Sequence, residues 1–163
     1  MGVKLDALNH ENLRNLLGNF CASRVAVAIH GTNTENILTT VAAVYAIDGI
    51  FYTLAAQTEI DLSAITVSSG VGTVADGYTK IFLIQLNSAG TITVNAGDAV
   101  LTADITAGTK DAAFPEPEDD KVAIAAVKVA NATGSAFTLG TTDLDTVGIT
   151  DTYYNLCRVP VNF

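Results

Sequence analysis

Between Val41 and Ala56 the chain reads VAAVYAIDGIFYTLAA, two β-prone runs around Asp48-Gly49. A type I′ turn needs positive φ at both central residues, and Asp-Gly tolerates it. The two-residue loop predicts the register. Ile47 faces Ile50, Tyr45 faces Tyr52 and Ala43 faces Leu54 on one side; Ala46 faces Phe51 and Val44 faces Thr53 on the other. Both sides are largely apolar, so the hairpin is expected to be covered on both.

Residues 81–97, IFLIQLNSAGTITVNAG, predict a second hairpin. A three-residue loop, Ser88-Ala89-Gly90 with Gly90 left-handed, pairs Leu86 with Ile92 and Ile84 with Val94. It also sets Gln85 against Thr93 and Asn87 against Thr91, polar on polar. A four-residue loop would mix the faces, so the shorter loop is preferred. A third hairpin is expected from VAIAAVKVA and AFTL around the loop 131–135, with Val129 opposite Phe137 and Val127 opposite Leu139. FPEPEDDK, residues 114–121, breaks the strand pattern, because its prolines and acids do not suit a central strand. It reads as an exposed connection. Arg24–Ile29 is a weakly alternating strand, followed by a loop at His30-Gly31-Thr32-Asn33.

The amino end has a different period. Leu5, Leu8, Leu13, Leu16, Leu17 and Phe20 fall near helical spacing. Asn9 can cap, Glu11 lies in the first turn and Gly18 can stop the helix. A short amphipathic helix is therefore predicted at 9–17. It is too short to stand alone in water and needs something to pack on. At the other end, Thr142-x-x-Asp145 has capping-box spacing and predicts one helical turn to Val147, stopped by Gly148. An extended segment, 149–161, follows, with Pro160 at an edge or terminal position. The fold class is mainly β: an antiparallel sandwich or barrel built from hairpins (37–163), preceded by an arm with a short helix (1–36).

Composition supports a folded β domain and narrows its partners. Of 163 residues, 49% are hydrophobic and 15% charged, against about 25% charged in an average soluble domain. The net charge is −9, and the cations Lys4, Arg14, Arg24, Lys80, Lys110, Lys121, Lys128 and Arg158 are scattered. Phosphate recognition needs grouped cations, so neither direct nucleic-acid binding nor an anionic membrane is expected. No run reaches the ~18 apolar residues of a membrane span, and the first residues lack a signal-peptide core. Synthesis in a cytoplasm is the expectation. Cys21 and Cys157 read as reduced, buried thiols; they can pair only if the fold brings the ends together.

Residues able to do chemistry are few. The histidines are His10, in the predicted helix, and His30, in a loop. Neither Gly-x-Ser-x-Gly nor His-Glu-x-x-His occurs. Residues 70–75, GVGTVA, have glycines spaced as in a dinucleotide loop, but Asp76-Gly77 and a strand follow where a helix should begin. Asp143-x-Asp145 lacks the further oxygen ligands of a Ca²⁺ loop, and Glu116–Asp120 reads as a solvated connection. Asn131-Ala132-Thr133 matches a glycosylation acceptor in pattern only. No catalytic, cofactor or metal residue is predicted, and the chain is expected not to be an enzyme.

Several stretches together carry a resemblance: Tyr-x-Ile-Asp-Gly-x-x-Tyr, the Ala-Gly-Thr-Ile-Thr-Val hairpin, PEDDKVAIAAVKV, AFTLGTTDL and GITDTYYNL. Over residues 41–156 the chain resembles the small β-rich structural proteins of tailed bacteriophage virions, of the head-fibre or capsid-decoration type. The resemblance implies a homo-oligomer, often a trimer, attached to a capsid or other virion surface. Leu13, Leu16, Leu17 and Phe20 are then the candidate capsid or oligomer contacts. Two rivals remain open. One is a tail or fibre module binding a host glycan through Tyr45, Tyr52, Tyr78, Tyr153 or Tyr154. The other is a small hydrolase using His30.

Overall fold

The computed structural model describes residues 18–157. The predicted helix at 9–17, Leu13, Leu16, Leu17, His10 and Pro160 lie outside them. The fold is mainly β, and no sheet closes into a barrel. Its main body is a six-stranded sheet in the order β13 (Ile149–Asn155), β11 (Lys121–Asn131), β8 (Tyr78–Asn87), β9 (Ile92–Ala96), β6 (Val67–Ser69), with β10 (Val100–Leu101) also pairing β8. A three-stranded sheet runs β1 (Phe20–Cys21), β4 (Ala43–Ile47), β5 (Ile50–Leu54). Two small pairs complete the β structure: β2 (Val27–Ile29) with β3 (Ile37–Thr39), and β7 (Thr73–Val74) with β12 (Phe137–Thr138). Pairing is antiparallel throughout except between β6 and β9. A short helix, α1 (Thr102–Thr106), follows β10.

The alternation in β8 explains why its sheet is covered twice. Phe82, Ile84 and Leu86 enter the main core, with Val122, Ile124, Val127 and Val129 of β11. Ile81 and Leu83 point the other way and form a smaller cluster with Ala126. The 112–118 connection helps cover this second face: Ala112 packs on the cluster, and the Phe114 ring meets Tyr154 edge-on at 5.2 Å. The acidic segment is also pinned to the sheet. Gln85 donates from Nε2 to Glu118 Oε1 (2.9 Å), and its Oε1 accepts the Glu118 N–H. Near Ile124 the register shifts between Ala123 and Ala125, so Ile124 and Ala125 both serve the main core. A bulge of this kind bends the strand.

Both predicted tight hairpins form in the expected register. Ile47 pairs with Ile50, Tyr45 with Tyr52 and Ala43 with Leu54; Asp48 and Gly49 have φ of 50° and 73°. Leu86 pairs with Ile92, Ile84 with Val94 and Gln85 with Thr93, and Gly90 has φ 78°.

Other expectations are corrected. The β4–β5 hairpin is not covered on both sides: Ile50 is 47% and Phe51 59% exposed. No third hairpin joins β11 to β12. β11 pairs with β8 and β13, while Phe137 pairs with Val74. The buried Asn131 side chain redirects the chain there, because its Nδ2 donates to the carbonyls of Val74 (2.9 Å) and Ser135 (2.7 Å). Residues 142–147 form turns, not a helical turn. Thr142 Oγ1 caps backwards, accepting the Thr138 N–H at 3.0 Å, and Leu144 is buried in the core. Within residues 18–36, β1 pairs with β4 and β2 pairs with β3.

Candidate functional site

Among the described residues the β5 strand is the outer member of its sheet, hydrogen-bonded to β4 alone. Its inward residues are well supported. Tyr52 stacks on Tyr45 with centroids 5.6 Å apart, and Leu54 packs on the main core. Its outward face is open at Phe51, whose ring meets Phe20 edge-on at 5.8 Å. From Gly49 to Thr58 the chain carries no charged residue. Open strand edges usually carry a lysine, a proline or a bulge that blocks pairing with another chain. Here an uncharged edge coincides with two large exposed hydrophobic residues.

Phe20 was a candidate contact residue. It lies in β1 and is only 6% exposed, so its ring belongs to the domain's own packing. The described chain begins two residues earlier, at Gly18.

His30 is fixed as a structural group. Its Nδ1 accepts the N–H groups of Asn33 (2.9 Å) and Thr32 (3.3 Å). In the neutral ring the proton must then sit on Nε2, which leaves no free lone pair for a general base. Nearby, Glu59 Oε1 accepts from Asn33 Nδ2 (2.6 Å) and Asn36 Nδ2 (2.8 Å). These two bonds hold its carboxyl below the usual range. Asn36 in turn accepts the Leu62 N–H, so the group ties two loops together. Among the described residues no three His, Cys, Asp or Glu side chains gather as a metal site, and no described helix is long and apolar enough to cross a membrane.

None of the five tyrosines is fully exposed. Tyr45 is buried, and its hydroxyl donates to Asn87 O at 3.1 Å. Tyr153 packs on the main core and Tyr154 under Phe114, so the adjacent pair faces opposite sides of the sheet. The glycan reading thus lacks an exposed stacking platform. Asn131 is fully buried with its amide donating twice, so it is no accessible glycosylation acceptor in the folded chain. The glycines at 70 and 72 join β6 to β7, not a strand to a helix. Lys80 stabilises this connection. It is 6% exposed, its Nζ donates to Val71 O at 2.9 Å, and burial lowers its pKa.

Cys21 is buried as expected, but Cys157 is exposed. Both line one cleft of about 280 Å³. The open β5 edge was missed in the sequence; the clue was the uncharged stretch after Asp48-Gly49. Compared with protein-family models, curated proteins and solved structures, the chain matches none of them.

Proposed function

We propose that this chain is a structural protein of a tailed-bacteriophage virion, a capsid-decoration or head-fibre subunit that acts as a homo-oligomer. The observation that carries this reading is the uncharged β5 edge, unpaired among the described residues, with Ile50 and Phe51 exposed. Exposed apolar residues on an unpaired strand edge suit association between chains. The β5 edge joins subunits, and Leu13, Leu16 and Leu17 contribute apolar contacts to neighbouring subunits or to the capsid. The subunit stabilises the shell by mass action, since it binds the assembled lattice and not its dissociated parts.

Light scattering on a sizing column tests the oligomer. A closed trimer would measure ~51 kDa from 16.9 kDa chains, and Phe51→Lys should shift it toward monomer. A monomer at every concentration overturns the homo-oligomer. Attachment is tested by sedimenting the protein with capsids of the phage that encodes it. Deleting residues 1–17, which spares Phe20 and β1, should leave the β-sheet circular dichroism intact and abolish co-sedimentation. Undiminished occupancy would remove the leucines from the attachment surface.

A further inference from the structure

The two cysteines lie far apart in sequence, yet the fold brings them to one place. Cys21 sits in β1, where its backbone pairs with Tyr45 and its Sγ donates to Ser23 O at 3.1 Å. Cys157 stands two residues beyond β13, held by the Leu156 N–H bonded to Ile124 O at 3.1 Å. That carbonyl belongs to the β11 bulge, and Val122 and Ala123 of the same strand line the cleft that both cysteines line. One thiol is 1% exposed and the other faces solvent.

We propose that Cys21 and Cys157 form an intramolecular disulfide under oxidising conditions, a clasp that ties β1 to the end of β13. The oxidant is a low-molecular-weight disulfide such as oxidised glutathione. The exposed Cys157 thiolate attacks one glutathione sulfur, expelling one glutathione thiolate and leaving a mixed disulfide. The Cys21 thiolate then attacks the Cys157 sulfur and expels the second glutathione. Two protein thiols are oxidised, one glutathione disulfide is reduced to two thiols, and the two protein protons pass to solvent or to the departing thiolates. Burial pushes the Cys21 thiol up, chiefly by desolvation, so its thiolate is scarce at neutral pH and closure should quicken as pH rises. The closed loop would span most of the chain, where a crosslink constrains the unfolded state strongly. A reducing cytoplasm keeps the clasp open, and release from the cell closes it. That timing rests on the virion reading; the bond itself does not.

The test uses the full chain, purified reduced and then equilibrated with oxidised glutathione at pH 8. The expected product is a monomeric polypeptide lighter by about two mass units, with no thiol left for iodoacetamide. Its melting temperature should rise by roughly 5–10 °C and return on reduction. Cys157→Ser, an exposed and conservative change, should keep the reduced melting temperature and gain nothing from oxidant. A persistent glutathione adduct on Cys157, or covalent dimers through Cys157, would overturn the proposal. Either result would leave the capsid reading untouched.

Discussion

The two tight hairpins differ in what surrounds them. In β8–β9, the long strand has neighbours on both edges and apolar cover on both faces. In β4–β5, the inner strand is buried and the outer one ends the sheet with Phe51 in solvent. Local patterns of equal clarity set both registers. Turn chemistry and alternation therefore decide which residues pair, whereas burial depends on chain that arrives from elsewhere. The connection at 112–118 reaches the outer face of the large sheet; no described strand flanks β5.

Matched phenylalanine truncations should expose this contrast most strongly. Phe82 is 1% exposed and in contact with Phe137, so Phe82→Ala should cost about 3–5 kcal/mol in urea unfolding. Phe51→Ala, at a position exposed in the single chain, should cost less than about 1 kcal/mol when both are measured at concentrations where the chain is monomeric. Similar losses at both sites would mean that β5 is covered in solution. Next comes Asn131→Ala, at roughly 3 kcal/mol, because it strands the Val74 and Ser135 carbonyls and the Thr133 N–H. Failure of this variant to destabilise would remove the explanation for the β11–β12 separation.

That separation marks the limit of what the pattern shows. The strand sequences of β8, β9, β4 and β5 announce themselves through period and turn residues. Phe137 looks like a partner for Val129 because the two lie either side of a turn-like loop. Asn131 decides otherwise through a bond to Val74, distant in sequence and without local signature. The apolar content of β5 was legible, but its exposure was not, since exposure depends on the absence of a neighbour. The approach of Cys157 to Cys21 was equally hidden, because it depends on how the chain beside β1 and the chain after β13 both meet the start of β11.

A tyrosine from each region gives a smaller, pH-dependent contrast. Burial raises the Tyr45 pKa, and burial together with the Asp151 carboxylate raises that of Tyr153. Each folded pKa lies above the unfolded value of about 10. Their stabilising contributions are thus complete below that pH and fall as pH rises toward the folded values, where the unfolded chain has released more protons. Thermal melts from pH 8 to 11 should show stability falling above pH 10. Tyr153→Phe should flatten the fall more than Tyr45→Phe, since only Tyr153 has a facing carboxylate. A flat wild-type profile would contradict both.

The smallest effects test whether the hairpins are coupled. Gly49 and Gly90 have φ of 73° and 78°, so alanine at either should cost about 1 kcal/mol through backbone strain. Space is not the obstacle at Gly90, where a Cβ would meet Leu54 at 3.6 Å and the Tyr45 hydroxyl at 3.9 Å. Those neighbours belong to the other hairpin, and the same hydroxyl donates to Asn87 O at the base of the Gly90 turn. Tyr45→Phe removes that bond. Combined with Gly90→Ala, it should depart from additivity by about 0.5 kcal/mol or more. Combined with Gly49→Ala, at the far end of the β4–β5 hairpin, it should add within about 0.5 kcal/mol. Additivity in both pairs would mean that the β8–β9 turn and the β4–β5 hairpin share a boundary without sharing energy, and the open edge could then be altered without disturbing the large sheet.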